Sequence, residues 1–65
     1  MKQKNIYSVC GSIFFGHKFF VADDAKEAVK MYNSLVEARN KSFNENNAFA
    51  KENDAIFKGI VYTND

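Results

Sequence analysis

Proline and tryptophan are absent from this 65-residue chain, and cysteine, histidine and arginine occur once each, at Cys10, His17 and Arg39. Each shortage closes a route. A lone cysteine forbids an internal disulfide and suits a reducing compartment. One histidine and one cysteine, with no CxxC or HExxH spacing, leave no set of metal ligands, so no metal and no cofactor are expected. The longest apolar run is four residues, 19–22, whereas a bilayer span needs about 20. Residues 1–5 carry two lysines, but no apolar core or cleavage site follows them. The expectation is therefore a cytoplasmic protein with no membrane contact.

Charge of one sign is also scarce. Nine Lys and Arg against eight Asp and Glu give a net charge of +1, where nucleic-acid-binding domains usually carry a clear basic excess. Glycine is limited to Gly11, Gly16 and Gly59. The first two have the glycine spacing of a phosphate-binding loop. His17 stands where that loop needs lysine, and Lys18 where it needs Ser or Thr, so a nucleotide site is rejected. Cys10 could act as a nucleophile only if His17 approached it, and Asp23 and Asp24 lie a strand's length from His17. No catalytic residue is assigned, and the protein is read as not an enzyme.

What is present is a compact apolar pattern. Hydrophobic residues make up 46% of the chain and aromatics 15%, which is enough for one packed domain over residues 1–65 and too much for a disordered one. Residues 5–15 read as a strand. Gly16 and His17 read as a two-residue hairpin turn, with 18–22 returning, so that Phe14 faces Phe19 and Ile13 faces Phe20. Gly11 marks a bulge or a close backbone approach. Asp24 to Glu27 has the spacing of a helix capping box. Ala25, Ala28, Val29, Tyr32, Leu35 and Val36 then recur at helical spacing, predicting a helix from 24 to 40 or 43. Ser42 to Glu45 repeats the capping spacing, which allows a short helix near 46–53, although the four asparagines within 42–54 favour a loop with one or two helical turns. Residues 55–62 read as a third strand. The order strand, strand, helix, strand predicts a two-layer α+β fold of ββαβ type. Its three-stranded antiparallel sheet has the order 2-1-3, with one main helix on one face.

Strand alternation divides the apolar side chains between two faces. Tyr7, Val9, Ile13, Phe15, Phe20 and Ala22 are expected to meet the helix, joined by Phe57, Gly59 and Val61. Phe14, Phe19, Val21, Ile56, Ile60 and Tyr62 are expected on the other face. One helix cannot cover both. Either Phe43 and Phe49 fold under the sheet, or the second face awaits a partner. The expectation is a non-enzymatic protein-interaction module, a homodimer or a binder or inhibitor of a larger protein. Its contact surface would be Phe14, Phe19, Val21, Ile60 and Tyr62, with Lys18 and Lys58 beside them. The alternative is a weak nucleic-acid binder that stacks bases on the same rings. Lys, Asn, Phe, Ile and Tyr, all encoded by A/T-rich codons, make up nearly half of the chain, which suggests a phage or mobile-element origin.

Overall fold

The computed structural model describes residues 1–11 and 16–64. Within them the elements are β1 (Lys2–Val9), β2 (Lys18–Ala22), α1 (Ala25–Phe43), one 3-10 turn (Glu52–Asp54) and β3 (Ala55–Thr63). The sheet order is β2-β1-β3, and both neighbouring pairs are antiparallel. The ββαβ layout expected from the sequence is the observed one, and the short helix near 46–53 is realised as the single 3-10 turn.

Helix α1 begins where its capping chemistry requires. Asp24 is extended and its Oδ1 accepts from the Glu27 amide at 2.8 Å. Glu27 Oε1 accepts from the Asp23 amide at 3.1 Å, one residue upstream of the cap itself. At the other end Asn44 takes a left-handed conformation (φ 52°) and its amide bonds back to Asn40 O. Ala28, Tyr32 and Val36, at i, i+4 and i+8, are the buried line of the helix. They close a small core with Val9, Ala22 and Ala50, and Tyr7, Phe20, Val29 and Ala55 pack around it. Tyr7 meets Phe57 edge-on at 6.0 Å and Phe20 meets Tyr32 edge-on at 6.4 Å. The Tyr32 hydroxyl donates to Gly16 O at 3.0 Å, so the largest buried side chain also satisfies its polar end.

The tight hairpin is not formed. β1 ends at Val9, and Phe20 pairs with Tyr7 instead of Ile13, six positions earlier along β1. A Cβ on Gly11 would lie 2.6 Å from both Cα and N of Ala50, so the chain ahead of β3 passes directly against the residues that follow β1. Gly11 therefore marks the close approach, not the bulge. Because six is even, the faces of β1 and β2 survive the shift: Tyr7, Val9, Phe20 and Ala22 do face the helix.

The bulge lies in β3. Ile6 pairs with Gly59 and Tyr7 with Phe57, leaving Lys58 as an extra residue. Gly59 has φ 154°, a backbone setting that side chains rarely tolerate, and nothing lies within 4 Å of the place where its Cβ would be. The expectation that Gly59 lets the helix come close is thus corrected: it serves the bulge.

Residues 44–51 do not pass under the sheet. They run back along α1, held by two asparagines seven residues apart. Asn40 Oδ1 accepts from the Asn47 amide at 2.8 Å and its Nδ2 donates to Asn47 O at 3.2 Å. Asn33 Oδ1 accepts from the Ala50 amide at 2.7 Å and its Nδ2 donates to Ala50 O at 3.0 Å. Each side chain thus pairs with a backbone as a neighbouring strand would. No helix among the described residues is long and apolar enough to cross a membrane.

Candidate interaction surface

The sheet face turned away from α1 is built in rows across three strands. The first row is Phe19, Ser8 and Ile56; the second is Val21, Ile6 and Gly59. Phe19 is 67% exposed, Val21 46% and Ile56 54%. Ser8, between Phe19 and Ile56 in the row, is buried, with its Oγ 3.4 Å from His17 Nδ1. Lys4 closes the far end, held at 2.8 Å by Asp23.

Phe43 and Phe49, the expected internal cover, stay on the helix side of the molecule and are themselves exposed. Arg39 lies over the Phe43 ring at 4.8 Å. Phe49 shares a shallow groove with Val29 and Asn33 on the flank of α1. Neither ring reaches Phe19 or Ile56.

The predicted surface is only partly assembled. Phe19 and Val21 lie on it, and Ile56 joins them. Phe14 lies outside the described residues. Ile60 and Tyr62 pair with Asn5 and Gln3, positions in phase with Tyr7 and Val9. They therefore belong to the helix side of the sheet, where they remain exposed at a corner. The bulge at Lys58 is the cause, because one extra residue inverts the alternation beyond it. Lys18 pairs with Val9 and alternates with Phe19, so it too projects on the helix side, at the edge of the sheet. Lys58 is the unpaired residue of the bulge.

Two arrangements were not foreseen. The Ser8–His17 contact joins residues nine apart across the β1–β2 connection, which the expected hairpin placed at opposite ends of a strand pair. Its visible role is to provide a partner for a buried hydroxyl. The second is the ionic end of α1: Arg39 Nε donates to Glu45 Oε1 at 2.8 Å, and Asn47 Nδ2 donates to the same oxygen at 3.0 Å. The Arg39 hydrogen bond, then that of Asn47, holds the Glu45 carboxyl below its ordinary value of 4.5. Among the described residues no three of His, Cys, Asp and Glu cluster as metal ligands. No protein-family description, curated protein or solved structure matches the chain.

Proposed function

We propose that the protein is a non-enzymatic interaction module that associates with a second copy of itself through the sheet face bearing Phe19, Val21 and Ile56. One observation carries the reading: three large apolar side chains stand about half or more exposed on one face of a 65-residue domain. Contiguous apolar surface of this kind marks contact sites. A net charge of +1 offers little repulsion between copies. Base stacking is the weaker use of this face, since Lys18 projects to the other side and cannot meet phosphates beside Phe19.

Sedimentation equilibrium over a range of concentrations tests the reading. The wild-type chain should associate reversibly. Phe19→Lys should remain monomeric with a thermal midpoint close to wild type, because the ring is mostly solvated in the single chain. An unfolded variant would assign Phe19 to the core and overturn the proposal, as would a variant that associates like wild type.

A further inference from the structure

We propose that the flank of α1 bearing Lys26, Val29 and Lys30, with Phe49 as its other wall, is a docking groove for an extended acidic peptide segment of a partner protein. This is independent of self-association, because the groove lies on the helix layer and Phe19, Val21 and Ile56 lie on the far face of the sheet.

The groove follows one line of the helix, from Lys26 to Glu37, with Phe49 beside it. That stretch of helix rises about 16 Å, the reach of about five residues of extended chain. Its aromatic wall is fixed in place. Asn33 binds both the amide and the carbonyl of Ala50, so the preceding residue is held against the helix while its ring stays half exposed. A ring on a clamped backbone needs little further ordering when a partner arrives. The groove is open along its length. A small molecule lying in it would keep much of its surface in water, whereas small-molecule pockets enclose most of their ligand. A chain segment carried by a larger partner does not need that enclosure.

Charge selects the occupant. Lys26 and Lys30 stand one turn apart on the groove and repel each other. Lys26 also lies in the first turn of α1, where the helix dipole disfavours a cation. Neither forms an ion pair among the described residues, where such pairs join Lys4 to Asp23 and Arg39 to Glu45. The nearest acidic side chains, Asp24 and Glu27, accept from backbone amides at the helix start. Side chains at alternate positions of an extended chain lie about 7 Å apart on one side, close to the rise of about 6 Å between Lys26 and Lys30. An acidic-x-acidic segment thus meets both lysines at once, and an apolar residue two positions further lies against Phe49. Glu37 repels a further acidic residue at the far end, which confines the negative charge to the Lys26 end.

The probe is a blocked pentapeptide, Glu-Ala-Glu-Ala-Phe, titrated into the isotope-labelled chain and followed through its amide chemical shifts. Saturable shifts are expected along 26–37 and at Phe49. Lys30→Glu should weaken binding about tenfold, since an attraction becomes a repulsion. Lys26→Glu should weaken it as much while suiting the helix dipole better, so its loss of binding cannot be a loss of fold. Phe49→Ala should weaken it about fivefold through the lost ring contact. Circular dichroism should show all three folded like wild type. Gln-Ala-Gln-Ala-Phe should not bind, and Phe19→Lys should bind the acidic peptide as wild type does. No saturable shift at millimolar peptide overturns the groove, as does binding that ignores the two lysine reversals. Binding that ignores Phe49→Ala overturns it too, because two solvated lysines would then account for the attraction. Loss of binding in a folded Phe19→Lys chain would place the site on the sheet face and overturn it as well. A wild-type chain that stays monomeric yet binds the peptide through these residues supports the groove and overturns only self-association.

Discussion

At the scale of single residues, the most consequential groups are two asparagines on a helix. Asn33 gives the buried Ala50 both a donor and an acceptor. Asn33→Ala would leave that amide and carbonyl without partners, at a cost of about 1–3 kcal/mol. Urea denaturation should show a lower midpoint with an unchanged slope. Asn33→Asp should lie between the two, since it keeps the acceptor and loses the donor. Glu45 gives the pH response. Its folded value lies below the ordinary 4.5 because Arg39 and Asn47 bind the charged form. The stability it adds is therefore fully present above pH 4.5 and fades as pH falls through the lower folded value. Glu45→Gln should flatten that part of a thermal-midpoint-against-pH profile. None of these pairings was legible in the sequence. Helical spacing puts Asn33 on the polar side of α1 and marks nothing special at Asn40. What they bind, backbone seven and seventeen positions away, depends on where the chain returns.

At the scale of elements, what is encoded locally was readable. The apolar spacing of Ala28, Tyr32 and Val36 and the Asp24 cap define α1 within the helix itself, and both appear as expected. Asp24→Ala should cost about 0.5–2 kcal/mol and Asp24→Ser much less, measured as a shift in the thermal midpoint by circular dichroism. Glu27 would still bond the Asp23 amide, so the helix start should loosen without being abolished. The β1–β2 connection was misread for the opposite reason. Gly16 has the positive φ, 82°, that a tight turn at this position invites. β1 ends at Val9, and just past it Gly11 lies against Ala50, thirty-nine residues on in sequence, a contact that no local pattern encodes.

At the scale of the whole molecule, sheet parity decides which expectations survive. A six-residue error in the hairpin left the faces of Tyr7, Val9, Phe19, Phe20, Val21 and Ala22 intact, while Ile13 and Phe15, like Phe14, lie outside the described residues; one extra residue in β3 moved Ile60 and Tyr62 to the other side. The composition of the candidate surface was therefore half legible: Phe19 and Val21 follow from alternation alone, and the far end of β3 does not. The molecule measures 41 × 22 × 15 Å, and its thin dimension is that of one sheet and one helix layer. A domain this thin buries few side chains, six hydrophobic ones among the described residues, so its stability is expected to be modest. Phe19→Lys is predicted to spare that stability because Phe19 is not one of the six and is mostly exposed, and its effect should appear only when copies meet.

Lys58 has a further consequence at this scale. It is the one position of β3 that the ladder with β1 does not use, since Ile6 and Tyr7 are consecutive on the strand it faces. Residues before it answer to one alternation and residues after it to the opposite one, so deleting Lys58 would restore a single alternation along the whole of β3 without costing the strand any partner on β1.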